Sequence, residues 1–187
     1  MGGEKTSAHS VQGLVRPLII SASALLILGC SRDISAQRIR LSQHGSVSQE
    51  IGDTTIAIEY NRPVARGREL FGALVPWGRV WCPGADDCTS IKISSPITVN
   101  GQKLAAGNYT LWAEPNPDKW TIIFSRGYPA FHTSYPYGKD ALRVSVTPRK
   151  GEHMETLAFY FSVVDGKHAE LVLHWGTVVV PLTIDVP

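Results

Sequence analysis

Apolar and polar residues alternate along most of the chain after its first forty residues. In residues 54–60, Ile56, Ile58 and Tyr60 fall on one face, because successive side chains of a strand point to opposite faces. The same period of two recurs and predicts strands at 39–43, 54–60, 89–94, 108–114, 119–125, 142–147, 157–163, 171–175 and 178–186. Helical periodicity is almost absent, so the pattern predicts an all-β protein.

The longest alternation comes at the end of the sequence. Asp165-Gly166 predicts a turn after residue 163, and Gly176 predicts a break before residue 178, so three successive antiparallel strands are expected. His174 alternates with Leu173 and Trp175 and is therefore expected to face solvent. The predicted inward residues are Leu157, Phe159, Phe161, Val163, Leu171, Leu173, Trp175, Val178, Val180, Leu182, Ile184 and Val186.

These strands predict a single domain over residues 37–187. An antiparallel sheet with one apolar face must bury that face against a second sheet, which favours a β-sandwich or a jelly roll. The composition agrees, since 17 Gly and 12 Pro among 187 residues are typical of a protein built from strands and turns.

The first thirty residues resemble an export signal. Residues 17–29 carry no charge and would rise roughly 20 Å as a helix, which is short of the ~30 Å apolar core of a bilayer. A signal peptide at 1–29 and a tether at 30–36 are therefore predicted. The end of the apolar run, Ile27-Leu28-Gly29-Cys30, resembles the lipobox of bacterial lipoproteins.

The lipobox resemblance implies that Cys30 carries lipid and anchors the protein to a membrane of the bacterial cell envelope, facing the periplasm. Ordinary secretion with cleavage after Ala36 is the alternative. A rival lipid signal, Met1-Gly2 with Thr6, fits the loose N-myristoylation pattern, but an apolar export segment directly behind it argues against that use.

Charge names no macromolecular partner. Lys and Arg total 18 against 16 Asp and Glu, and removal of residues 1–29 leaves 16 basic and 15 acidic residues. A nearly neutral domain has no basic field with which to bind nucleic acid, so no nucleic-acid partner is predicted.

The two cysteines that follow Cys30 are predicted to form a disulfide. Cys82 and Cys88 are an even pair that an oxidising compartment could join. Zinc is the competing use of two thiols, but no third and fourth ligand appears at the usual spacing. The sequence predicts no metal site and no cofactor.

A specific set of motifs runs through most of the chain after residue 46. It comprises Val47-x-Gln49-x-Ile51-Gly52-x-Thr54, Tyr60-x-Arg62-Pro63, Gly67-Arg68, Phe71-Gly72-x-Leu74-Val75-Pro76, Trp81, Gly84-Ala85, Thr89, Gly101-x-Lys103-Leu104-x-Ala106-Gly107-x-Tyr109-x-Leu111 and Trp120-Thr121-Ile122-Ile123-Phe124. This pattern resembles the DUF2911 family of bacterial exported proteins. The resemblance implies an envelope β-sandwich domain without an assigned activity. Where relatives typically have W-R-T-G-A-N-E-A-T, this chain places Cys82 and Cys88 at the usual Arg and Ala, which fits a local disulfide.

Residues 61–88 and 126–140 are too long for hairpin loops, and long ordered loops often carry function. The first segment combines four arginines, including Arg79, and the aromatic residues Phe71, Trp77 and Trp81 with two following aspartates, so it could hold an anionic ligand beside an aromatic surface. The alternative is that these arginines pair internally with Asp86, Asp87 and Glu69 and only hold the segment in place. The candidate residues are Arg62, Arg66, Arg68, Trp81, Asp86 and Asp87.

The second segment could bind a small-molecule or carbohydrate ligand, because rigid aromatic faces lose little entropy on binding. Its aromatic residues are Tyr128, Phe131, Tyr135 and Tyr137. They could instead pack onto the sheet. His132 could form an acid/base pair with Asp86 or Asp87, which would suit an envelope hydrolase with its site between the two segments. No recognised catalytic motif supports that alternative, so a ligand-binding or structural envelope module is the main prediction.

Overall fold

The computed structural model describes residues 40–187. These residues form ten strands and no helix. Residues 40–187 therefore contain no helix that could span a membrane. The strands are β1 (Gln43–Ile51), β2 (Thr54–Arg62), β3 (Ser90–Ile93), β4 (Ile97–Val99), β5 (Gln102–Leu104), β6 (Gly107–Glu114), β7 (Trp120–Ser125), β8 (Asp140–Val146), β9 (Arg149–Asp165) and β10 (His168–Asp185). The predicted signal peptide, tether and Cys30 lie outside the described residues.

Two antiparallel sheets pack as a β-sandwich, which confirms the predicted fold class. One sheet has six strands in the order β1-β2-β3-β6-β7-β8, and the other has four in the order β5-β4-β10-β9. The inward faces of both sheets supply one apolar core. The predicted inward residues Ile56, Ile58 and Tyr60 are all buried in it.

The first strand was predicted at 39–43, and this is wrong, because β1 begins where the predicted strand ends. β1 pairs with β2 without a break from Gln43 opposite Arg62 to Ile51 opposite Thr54. β1 is an edge strand and is mostly polar, so its apolar and polar residues alternate only weakly. Its position follows from its pairing with β2 and is not apparent from its own sequence.

The prediction of three final strands is also wrong, since β10 runs unbroken from residue 168 to residue 185. Gly176 sits inside β10 at a φ of 58°, and the ladder to β9 shifts register on both sides of it. It therefore marks a β-bulge and not a turn. The predicted turn between β9 and β10 is confirmed, with Gly166 at a φ of 56°.

Two side-chain predictions in β9 and β10 are also wrong. Leu171 pairs with Phe161 while Glu170 pairs with Val163, so β9 gains one residue there and its alternation changes face. Val163 is consequently 47% exposed. His174, expected in solvent, is only 6% exposed. Its ring is covered by β9, where it is hydrogen-bonded to the Tyr160 hydroxyl at 3.2 Å and to the Glu152 carbonyl oxygen at 3.0 Å.

Substitution of Gly176 tests this bulge. Gly176→Ala is expected to lower the free energy of unfolding by about 2 kcal/mol, because an L-residue is strained at positive φ and the new Cβ would lie 2.8 Å from Leu70 Cδ1. The control is Gly67→Ala, which has a φ of 67° but no atom within 4 Å, and about 1 kcal/mol is expected there. Urea unfolding measures both values, and an equal loss in the two variants would contradict a packing role for Gly176.

Candidate functional site

The segment that follows β2 returns to the six-stranded sheet along β6. The N–H and C=O of Trp81 both pair with Ala113, each at 2.8 Å, and the Leu111 N–H donates to the Thr89 carbonyl oxygen at 2.9 Å. The chain therefore leaves β6 after Trp81 and rejoins it at Thr89. Residues 82–88 form the loop between these two points, here called the disulfide loop.

The disulfide loop is closed at its neck by the Cys82–Cys88 bond, which confirms the predicted disulfide. Because the flanking residues both bind β6, the two cysteine Cα atoms lie only 5.9 Å apart, within the usual range for a disulfide. Both cysteines are buried against Trp112 and Ile123 in a small second core on the outer face of the sheet.

Further hydrogen bonds fix the shape of the disulfide loop. The Asn61 side-chain amide donates to the Ala85 carbonyl oxygen at 2.9 Å, and the Thr89 hydroxyl donates to the Pro83 carbonyl oxygen at 2.7 Å. The loop is consequently a rigid platform and not a free excursion.

Residues 126–140 dock on this platform, so the two long segments meet as the hydrolase hypothesis requires. The Cys88 N–H donates to the Ala130 carbonyl oxygen at 3.0 Å, and the His132 N–H donates to the Asp86 carbonyl oxygen at 3.0 Å. Main-chain contacts therefore hold the second segment against the disulfide loop.

A groove of about 530 Å³ lies between the two segments. Of the predicted site residues, Trp81, His132 and Tyr135 line it. We call this feature the aromatic groove, and its full lining is Leu74, Val75, Pro76, Gly78, Arg79, Val80, Trp81, Trp112, His132, Thr133, Tyr135 and Tyr137. No carboxylate belongs to this lining.

The rings of Trp112, Tyr135 and Tyr137 lie in a series from the floor of the aromatic groove to its rim. Trp112 is buried in the second core, the Tyr135 ring meets it edge to face at 5.1 Å, and the Tyr137 ring meets Tyr135 at 4.7 Å. Tyr137 is 83% exposed. The groove thus offers an aromatic surface to solvent at its rim.

Tyr135 is held in place by a polar network behind the groove. Its hydroxyl donates to Asp140 Oδ1 at 2.6 Å, and Asp140 Oδ2 pairs with Arg143 Nε at 3.0 Å. Burial raises the pKa of Tyr135, and the hydrogen bond to Asp140 raises it further. Burial alone would lower the pKa of Arg143, but its hydrogen bond to Tyr135 and the nearby Asp140 charge raise it. The phenol therefore remains a donor.

The three predicted arginines lie outside the groove, and hydrogen bonds tie their segment to the main chain and to β9. The Arg62 Nε donates to the Leu157 carbonyl oxygen at 3.0 Å, and the Arg68 Nε donates to the Ala65 carbonyl oxygen at 2.9 Å. The main-chain N–H of Arg66 donates to Glu155 Oε1 at 2.6 Å. These contacts hold the segment in place, as the alternative expected, but within residues 40–187 none of the three arginines forms an ion pair with Asp86, Asp87 or Glu69.

The two aspartates have different environments. Asp87 is exposed and pairs with Arg40 at 3.3 Å, beside a separate cleft of about 260 Å³. Asp86 meets His132 through its main chain, since its carbonyl oxygen lies 2.6 Å from His132 Nδ1. The histidine ring is thus tied to a carbonyl and not to the carboxylate of an acid/base pair. Within residues 40–187, no group of three or more His, Cys, Asp or Glu could hold a metal ion.

Comparison with protein families decides the relationship of the chain. The model of DUF2911, described as a protein of unknown function, matches residues 42–184. The chain belongs to the DUF2911 family. The match extends from just before β1 to one residue before the end of β10, so this DUF2911 domain includes the disulfide loop and the aromatic groove. Comparisons with curated proteins and with solved structures found no match.

Proposed function

We propose that this DUF2911 domain is a ligand-binding module of the bacterial cell envelope and that it takes a saccharide in the aromatic groove. The observation that carries the proposal is the edge-to-face series of Trp112, Tyr135 and Tyr137, which extends from the buried floor to an exposed rim. Flat, rigid rings of this kind suit the apolar face of a pyranose ring, and they lose little side-chain entropy on contact.

The polar groups of the groove favour binding over hydrolysis. His132, Thr133 and Arg79 offer hydrogen bonds to hydroxyl groups along the lining. Glycoside hydrolysis ordinarily uses two carboxylates that flank the scissile bond, and the described residues that line the groove include none. A binding module is therefore the better fit than an envelope hydrolase.

The disulfide supports the proposed location. Disulfides persist in oxidising compartments such as the periplasm and are rare in the cytosol, and the bond between Cys82 and Cys88 is buried within the fold. Together with the lipobox-like sequence at Cys30, it supports a domain that is exported and anchored to a membrane through lipid.

Calorimetric titration of the purified protein with cellotetraose, chitotetraose and maltotetraose tests the proposal. At least one tetrasaccharide is expected to bind, and Tyr137→Ala should weaken that binding about five- to tenfold, because one aromatic contact is removed. Tyr137 is mostly exposed, so the variant should fold as the wild type does.

The matched control is Tyr128→Ala. Tyr128 is 53% exposed in the same segment but does not line the aromatic groove. Its replacement should leave the affinity unchanged. The proposal is overturned if no tetrasaccharide binds, or if Tyr128→Ala weakens binding as much as Tyr137→Ala does.

A further inference from the structure

We propose that Nε2 of His132 is the hydrogen-bond acceptor that determines the specificity of the aromatic groove, by accepting a hydroxyl proton of the saccharide. This role rests on the proposed function. It starts from one main-chain atom, the Asp86 carbonyl oxygen. That oxygen lies 3.0 Å from the His132 main-chain nitrogen and 2.6 Å from the ring nitrogen Nδ1.

The chemistry of these contacts fixes the tautomer of the ring. A carbonyl oxygen can only accept a hydrogen bond, so Nδ1 must carry the proton that it donates. In a neutral imidazole the lone pair then resides on Nε2. Nε2 has no hydrogen-bond partner among residues 40–187, although the ring lines the groove.

The fold holds the Asp86 carbonyl in the required direction. Asp86 has a φ of 57°, in the left-handed region that aspartate tolerates better than most residues. The Cys82–Cys88 bond closes the loop around it, and the Ala85 carbonyl next to it is held by Asn61. Asp86 thus acts as a positioning residue through its main chain.

The resulting groove selects for a donor on the ligand. Arg79 only donates, and the Tyr135 hydroxyl is engaged with Asp140. No carboxylate lines the groove, and among the described residues that line it the imidazole offers the one side-chain nitrogen that can accept a hydrogen bond. A saccharide hydroxyl satisfies that acceptor, whereas a ligand that has only acceptor atoms beside His132 would leave it unpaired.

Two substitutions of His132 separate recognition from a merely structural role. His132→Asn keeps an N–H near the position of Nδ1 but removes the Nε2 acceptor. His132→Gln places an amide near the position of Nε2 but removes the donor to Asp86. If Nε2 of His132 recognises the saccharide, His132→Asn should weaken tetrasaccharide binding about five- to tenfold. His132→Gln should then retain more affinity than His132→Asn.

A second measurement reads the tautomer without ligand. Two-bond ¹H–¹⁵N correlation spectra in mildly alkaline buffer, where a histidine ring is ordinarily neutral, should show His132 protonated at Nδ1. Saturation with the tetrasaccharide should then move the Nε2 resonance. His153→Asn is the control for affinity, since His153 is an exposed histidine paired with Glu155 and lies outside the groove.

The outcomes distinguish this role from the proposed function. If the wild type binds a tetrasaccharide but Gln loses more affinity than Asn, His132 only holds the segment and the recognition role is overturned. Protonation at Nε2 in the free protein overturns it as well. If the wild type binds no tetrasaccharide, the proposed function fails and this role fails with it.

Discussion

Replacement of Phe71 by alanine is expected to lower the free energy of unfolding by about 3 kcal/mol, near the lower end of the range for a large aromatic side chain. Phe71 lies in the long segment between β2 and β3, yet its ring packs against the core. The centroid distances are 4.9 Å to Trp120, 6.0 Å to Trp81, 6.1 Å to Trp175 and 6.2 Å to Trp77.

The position of Phe71 gives the substitution a second effect. Its ring joins Trp120, which is buried in the core, to Trp81, which lines the aromatic groove. Loss of the ring should therefore loosen one wall of the groove and, if the proposed function holds, weaken the proposed saccharide binding more than a surface substitution of equal size. Urea unfolding followed by tryptophan fluorescence measures the stability, and calorimetry measures the affinity.

Phe131→Ala is the matched control for this prediction. Phe131 is 50% exposed and does not belong to the core or to the groove lining. Its loss should cost less than about 1 kcal/mol, as for most surface substitutions. If Phe71→Ala lowers the free energy of unfolding no more than Phe131→Ala does, Phe71 does not anchor its segment to the core.

Removal of the disulfide should have the next largest effect. Replacement of Cys82 and Cys88 together by alanine is expected to lower the free energy of unfolding by about 2 to 3 kcal/mol, since closure of a short loop restricts the unfolded chain. The variant also removes two buried sulfur atoms that pack on Trp112. Because the disulfide loop carries the carbonyl that binds His132, the saccharide binding proposed for the groove should weaken as well.

Reduction provides an independent route to the same state. A thiol reductant should destabilise the wild type by about the same 2 to 3 kcal/mol and should leave the double variant unchanged. Chemical denaturation with and without reductant measures both. If reductant lowers the stability of the double variant as well, the effect does not come from this disulfide.

Alternation along the sequence predicts the sandwich because burial of one sheet face requires an apolar residue at every second position of each strand. The prediction from alternation fails where the pairing with a neighbouring strand determines to which face a side chain points. The bulge that turns Val163 outward exists in the pairing of β9 with β10 and not in the sequence of β9 alone. The short hairpin of β4 and β5 was missed, although Asn100-Gly101 at its turn is a strong hairpin signal.

Only part of the lining of the aromatic groove could be predicted, because the rest depends on contacts between distant segments. Length and aromatic content point to the two segments that meet, and Trp81, His132 and Tyr135 do line the groove. The contacts of Arg62 and Arg68 could not be predicted, because their partners are main-chain carbonyls whose directions depend on the fold. Trp112 was missed, yet a tryptophan between Leu111 and Ala113 in β6 indicates that the outer face of the sheet is covered there.

The position of β10 has a consequence for folding during synthesis of the chain. β10 pairs with β9 over most of its length, and then Ile184 and Asp185 pair with β4. The four-stranded sheet is therefore incomplete until residue 185 has left the ribosome. A nascent chain that stops short of this point cannot close the apolar core, so the domain is expected to complete its folding only after nearly all of its strands have emerged.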